Sequence, residues 1–223
     1  MKDFFEKHGD YINEFDNANE AFIYWYNVID KLGYNYANTK ALFNIGFYLT
    51  DPTKNLITCK ERKWKKDYAE LEWRWYESGN SSAVEIAKHA KIWYKCMDVQ
   101  GNVNSNYGCH WQEGDQLGYV IRELKKDKNS RRASISIYNA KKRYNWENDT
   151  PCTYAINFHI HEDKLNMSVM MRSNDLWYGF CNDQYCFSKL LMLVAHELSC
   201  EIGTYYHFVN NIHLYNNFLN RNI

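Results

Sequence analysis

Residues 151–183 constrain this chain more than any other stretch. Tyr154, Ile156, Phe158 and Ile160 alternate with Ala155, Asn157, His159 and His161, the period-two pattern of a half-buried strand. After a turn at Asp163-Lys164, Leu165, Met167, Val169 and Met171 repeat it, with Asn166, Ser168, Met170 and Arg172 on the opposite face. Trp177 to Asp183 then opens a helix. Two strands joined by so short a turn make a hairpin. Cys152, opening the first strand, is therefore expected beside Arg172 and Ser173, which close the second. A thiol next to a fixed cation is the setting that lowers a cysteine pKa and makes it a nucleophile.

Composition narrows what such a site serves. A chain of 223 residues with only two prolines and no Gly/Ser-rich linker reads as one domain with a sizeable core. Lys plus Arg equals Asp plus Glu at 27 each, which argues against a general polyanion binder. Aromatics make up 17% of residues, enough for a wide packed interior or a stacking site for a flat ligand. The seven cysteines are odd in number and lack disulfide-framework spacing, so a reducing compartment is expected. Met1 to Asp10 is too charged for a signal peptide, and the longest apolar run, Leu190 to Ala195, is far too short for a membrane span. The expected location is the cytoplasm.

Helices are expected over Asn19–Leu32, Asp67–Glu77, Ser81–Cys96, Asp115–Lys126 and Gln184–Glu201, with Gly33, Gly79 and Gly203 as stops. Strands are expected over Ile45–Leu49 and Ala133–Tyr138. His196 and Cys200 share a helical face, and His159 and His161 share a strand face. Neither pair has a third ligand nearby, so no metal site is expected.

Several motifs resemble the thymidylate synthase superfamily, and within it the phage deoxycytidylate hydroxymethylases. They are Pro151-Cys152, Arg172-Ser173-x-Asp175 with Gly179, Glu70-Leu71-Glu72-Trp73, Ile92-Trp93, Tyr107-Gly108, Ser130-Arg131-Arg132 and His213-Leu214-Tyr215. The resemblance covers about Gly46 to Tyr215. It implies an α/β (α+β) fold, a large mixed sheet with packed helices, in a homodimer formed through the sheet face. It also implies that 5,10-methylenetetrahydrofolate donates a one-carbon unit to a pyrimidine deoxynucleotide monophosphate, with no metal, membrane or direct nucleic-acid partner.

By that resemblance Cys152 adds to C6 of the base, and Glu70 manages protons and water. Arg172 and Ser173 grip phosphate together with Arg131 and Arg132 from the other subunit, since guanidinium forks bind two oxygens at once. His213 and Tyr215 hold the sugar, Asp175 contacts the pterin, and Trp93 and Tyr107 line the folate side. Taken alone, Glu70 reads as a solvated helix carboxylate, the arginine pair as a solvated patch, and both aromatics as core.

The base-reading position lies four residues after Gly179, at Asp183. Cytosine offers an N3 acceptor and an N4 donor, which a carboxyl matches; uracil offers the reverse, which an amide matches. Asp183 therefore points to dCMP and a 5-hydroxymethyl product formed by water capture. Thr153, where the synthases carry His, agrees. A shift of one to Asn182 would point to dUMP, as a thymidylate synthase or dUMP hydroxymethylase, and Asp183 could instead cap the following helix. Only eight residues follow Tyr215, fewer than in the family, where the C-terminus covers the folate. A binding protein without turnover is the reading from another class. The family's N-terminal phosphate-binding Arg loop has no clear counterpart before Ile45.

Overall fold

Fifteen residues, Glu201–Tyr215, form the strand on which the sheet is assembled. The computed structural model describes residues 13–141 and 148–223. In chain order the main elements are β1 (Glu14–Phe15), α1 (Ala18–Leu32), β2 (Tyr34–Tyr36), β3 (Thr39–Leu49), α2 (Lys66–Ser78), α3 (Val84–Ala87), α4 (Trp93–Cys96), α5 (Tyr107–Gln112), α6 (Gln116–Lys126), β4 (Ser134–Ser136), β5 (Thr153–His161), β6 (Lys164–Met171), β7 (Asn174–Asp175), α7 (Cys181–Leu198) and β8 (Glu201–Tyr215).

The sheet runs β1-β3-β8-β6-β5-β4, with β2 added to β3 and β7 added to β8. It is mixed: β8 is antiparallel to β3 and parallel to both β6 and β7. The expected hairpin is present, with Thr153 opposite Met171 and His161 opposite Lys164. This is the mixed α/β architecture expected from the sequence.

Strand alternation sorts the two faces. On β8, Gly203, Tyr205, His207 and Val209 are buried toward the helices, and Phe47 and Leu49 of β3 join them. The helices contribute Phe22, Trp25, Tyr26 and Ile29 from α1 and Phe187, Leu190, Leu191 and Val194 from α7. The other sheet face carries Tyr48, which is exposed, and Met170, Tyr206 and Phe208, which are half-buried. Tyr48 and Tyr206 pack there with ring centroids 4.7 Å apart. Among the described residues no helix is long and apolar enough to cross a membrane.

Four boundaries differ from the sequence expectation. Residues 81–96 form two short helices, α3 and α4, and the break between them lets His89, Lys91 and Ile92 line a cleft described below. Helix α7 begins at Cys181 and ends at Leu198, because Ser199 turns left-handed (φ 53°) and Glu201 already belongs to β8. β3 starts at Thr39, six residues before the expected strand (45 − 39 = 6). β4 is shorter than the expected strand 133–138.

Close packing of α2 on α5 requires Gly108. A Cβ there would lie 1.6 Å from the backbone oxygen of Tyr76, which cannot rotate away. Gly108→Ala is expected to destabilise the fold by about 1–3 kcal/mol, read as a lower urea midpoint with an unchanged m-value.

Candidate active site

The β5–β6 register places Cys152 and Arg172 together. The Arg172 backbone N–H donates to Cys152 O at 2.8 Å. The guanidinium then reaches back, with Nε donating to Pro151 O at 3.1 Å and Nη2 to Thr150 O at 2.7 Å. The arginine is thus fixed by the backbone that precedes the cysteine. The next residue, Thr153, donates its N–H to the Tyr107 hydroxyl at 3.3 Å, and Tyr107 stacks on Phe187. Tyr107 therefore supports the strand that carries Cys152.

The electrostatics differ from the expectation. Burial pushes the Cys152 thiol up to about 12; Arg172 pulls it down, while Asp183, Asp149 and Asp175 push it further up. The cation is present but outweighed, so in the free protein Cys152 carries its proton at neutral pH.

Arg172, Ser173, His213 and Tyr215 come together around a polar recess of about 370 Å³, with Tyr36, Asn38, Thr39 and Asn211 on its other wall. β7 lies parallel to β8, with Asp175 opposite His213. The Asn211 side chain meets His213 Nδ1 at 3.0 Å, and the His213 and Tyr215 rings are edge to face at 5.4 Å. Burial holds His213 below its ordinary value.

Tyr215 also lines a second, larger cleft of about 780 Å³. Its walls are aromatic, with Trp64, Tyr68, Tyr178 and Phe218; Arg62, Lys63, Lys65, Lys91 and Lys95 surround them. Asp175 faces this cleft. It accepts from the backbone N–H groups of Trp177 (2.9 Å) and Tyr178 (3.3 Å), and burial raises it to about 6. Those two donors start a π-helical turn, Leu176–Phe180, that leads directly into α7. Asp183 is consequently inside the first turn of α7, and it does not cap that helix.

Asp183 is half-buried in area but surrounded by protein, and burial raises its carboxyl well above the ordinary value. Asn174 Nδ2 donates to Asp183 Oδ2 at 2.7 Å. Asn182 points elsewhere, its Oδ1 accepting from Trp64 Nε1 at 2.8 Å on the cleft wall.

Glu70 does not have the setting expected of it. Its carboxylate accepts from Tyr185 OH at 2.7 Å and lies 3.8 Å from both Arg74 and Lys189, and these partners lower its pKa. Two positions along a helix are about 200° apart, so Glu70 and Glu72 face opposite ways. Glu72 is the buried one, 5% exposed, in the stripe Ala69, Glu72, Trp73, Tyr76. Its Oε1 accepts from Tyr76 OH at 3.1 Å, and the Tyr68 hydroxyl is a second neighbour that lowers its pKa. Burial pushes Glu72 up to about 7, and its charge bears on Asp183. A carboxylate inside the buried stripe, at the same Glu-x-x-Trp spacing as Glu70, was the signal available in the sequence.

Trp93 packs in a small satellite core with Ala83, Ile86, Ala87 and Val103, and its Nε1 donates to Tyr68 OH at 2.9 Å. It supports the cleft wall through Tyr68. Arg132 pairs with Glu123 at 2.9 Å, and Arg131 is exposed beside it; neither lines either recess of its own chain.

The thymidylate synthase family model matches residues 31–222. The chain belongs to the thymidylate synthase family. Similar curated proteins include a thymidylate synthase of Bacillus licheniformis, 28% identical over 169 residues, which are 72% of this chain and 60% of that protein. A thymidylate synthase of Bacillus mojavensis and thymidylate synthase 1 of Bacillus spizizenii are each 25% identical, with the same coverage of 72% and 60%. The chain thus spans about 60% of the length of these relatives.

Within this family fold, Glu72 has a pH signature. Its folded value of about 7 lies above the ordinary 4.5, so the buried carboxyl favours keeping its proton. The stability this contributes is intact below about pH 4.5 and is lost as pH rises toward and through about 7. Glu72→Gln is expected to remove about 2–3 kcal/mol of the fall in unfolding free energy between pH 5 and pH 8. Urea titrations of both proteins at the two pH values measure this, and parallel curves contradict it.

Proposed function

We propose that this chain transfers a one-carbon unit from 5,10-methylenetetrahydrofolate to C5 of a pyrimidine nucleotide monophosphate, through a bond between Cys152 Sγ and C6 of the base. The observation that carries this reading is that Arg172, bonded to the backbone of Cys152, shares a recess with Ser173, His213 and Tyr215 in a chain of this family. Arg172 and Ser173 hold phosphate, and His213 and Tyr215 hold the sugar. Methylenetetrahydrofolate would supply carbon at the oxidation level of formaldehyde. The aromatic cleft with its rim of lysines and arginine suits a flat ring carrying an anionic tail, and Asp175 suits the pterin edge.

Addition to C6 needs the thiolate, and Cys152 sits at about 12 in the free protein. Its proton must therefore leave as the substrate binds, when Arg172 is the neighbouring cation. The C5 proton leaves later, once the C5–carbon bond has formed. Glu72, in place of Glu70, is poised near 7 to relay protons through the interior. Arg131 and Arg132 would complete the phosphate grip across a homodimer formed by the open sheet face with Tyr48, Tyr206 and Phe208.

For the base we propose cytosine. Burial favours the protonated form of Asp183, and in that form the carboxyl offers both a donor and an acceptor, as N3 and N4 of cytosine require. Water capture then gives 5-hydroxymethyl-dCMP and tetrahydrofolate. The names of the similar proteins support a second reading, dUMP with hydride transfer to give the methyl product and dihydrofolate. Asn182 is the amide that reading would use, and its oxygen is occupied by Trp64.

A 5-fluoro nucleotide tests the covalent step, because fluorine cannot leave as a cation and the adduct stalls. With methylenetetrahydrofolate and either 5-fluoro-dCMP or 5-fluoro-dUMP, the intact mass should rise by nucleotide plus folate, with the label on the Cys152 peptide. Cys152→Ala should lose the adduct and keep nucleotide binding; no adduct with either nucleotide contradicts the reading. Asp183→Asn should shift the ratio of kcat/KM for dCMP over dUMP toward dUMP by at least about tenfold, and an unchanged ratio removes Asp183 as the base reader.

A further inference from the structure

Asp183 is the end of a buried hydrogen-bonded chain whose other members have no part in the roles assigned above. Asn174 Nδ2 donates to Asp183 Oδ2 at 2.7 Å, and Asn174 Oδ1 meets His207 Nε2 at 3.1 Å. His207 Nδ1 meets the Tyr205 hydroxyl at 2.8 Å. Tyr205 and His207 are fully buried at 0% exposure and Asn174 is 2% exposed. His207 is packed between the rings of Phe47 and Phe180, at 5.2 and 5.3 Å.

The chain has a direction. With its amide nitrogen committed to Asp183, Asn174 presents its oxygen to His207, so His207 Nε2 must carry a proton. Burial holds His207 down to about 3, so the ring is neutral and has only that one proton. Nδ1 is then an acceptor, and Tyr205 donates to it. Every donor along the chain points toward Asp183. The arrangement needs Gly179: a Cβ there would lie 2.9 Å from Asn174 Nδ2 and 3.3 Å from Asp183 Oδ2.

A neutral carboxyl left to itself is symmetric. With the proton on one oxygen it offers donor then acceptor; with the proton moved to the other, it offers acceptor then donor. The two orders match cytosine and uracil respectively, so an unconstrained Asp183 reads both. We propose that Asn174, His207 and Tyr205 form a specificity relay that commits Asp183 Oδ2 to accepting, confines the proton to Oδ1, and thereby fixes one donor–acceptor order along the base edge. This inference rests on Asp183 as the base reader. The three residues are positioning residues, acting on the base through Asp183.

Two measurements test the relay. The first needs no nucleotide: long-range ¹H–¹⁵N correlation of the histidine rings should show His207 as the Nε2–H tautomer, and an Nδ1–H ring overturns the proposal. The second is calorimetric binding of dCMP and dUMP. His207→Leu, which cannot donate to Asn174, is expected to reduce the binding ratio between the two nucleotides about tenfold. His207→Gln, whose amide can donate, should restore most of it. Tyr205→Phe frees His207 to change tautomer and should reduce the ratio by a smaller factor. A loss of packing alone would lower the melting temperature of these variants and leave the ratio unmoved. If wild type discriminates and His207→Leu and Tyr205→Phe discriminate equally well, the relay is wrong and the base reader stands. If wild type binds neither nucleotide, the relay fails together with the reading beneath it.

Discussion

β8 is paired along both edges, and the site depends on that. One edge bonds to β3; the other bonds first to β6 and then to β7. Because β6 and β7 follow each other along the same edge, the four residues Arg172, Ser173, Asn174 and Asp175 are held beside Val209 to His213. That register brings Arg172 and Ser173 to the recess of His213 and Tyr215. It also turns Asn174 inward to His207 and Asp175 toward the cleft. A one-residue slip would exchange the two faces of the strand and undo all of these contacts at once.

Three carboxyl groups lie in the interior behind the sheet. Glu72, Asp183 and Asp175 are all raised by burial. Ionised together they would repel one another and oppose the thiolate of Cys152, whose own value stands near 12. Arg172 is the cation that counters them, and it is anchored by three bonds to residues 150–152. In the free protein Cys152 is therefore held as a thiol.

Much of this was legible in the sequence where a single period dominates. The alternation of Tyr154, Ile156, Phe158 and Ile160 against Leu165, Met167, Val169 and Met171 gave the hairpin and the meeting of Cys152 with Arg172. β8 was not legible as a strand because both of its faces carry large side chains, Tyr205 and Val209 inward and Tyr206 and Phe208 outward. The helix expected over 81–96 is broken although its residues favour helix, and the loop between α3 and α4 lines the cleft. Glu70 and Glu72 differ by which face of α2 they occupy, and a motif of four letters carries no such information. The thiol's protonation was missed for a different reason: the burial that raises Cys152, and the approach of Asp183, Asp149 and Asp175, arise only on folding.

In the proposed reaction Cys152 activates C5 of a pyrimidine nucleotide and Asp183 selects cytosine. The direct measurement is tritium release from 5-tritiated dCMP and, separately, 5-tritiated dUMP, with methylenetetrahydrofolate present. Every catalytic route through C5 displaces that hydrogen, so release reports the chemistry and the identity of the base together. Release from dCMP, with much slower release from dUMP, is the predicted result. Release from dUMP alone would contradict the assignment of Asp183, and release from neither would contradict the transfer reaction itself.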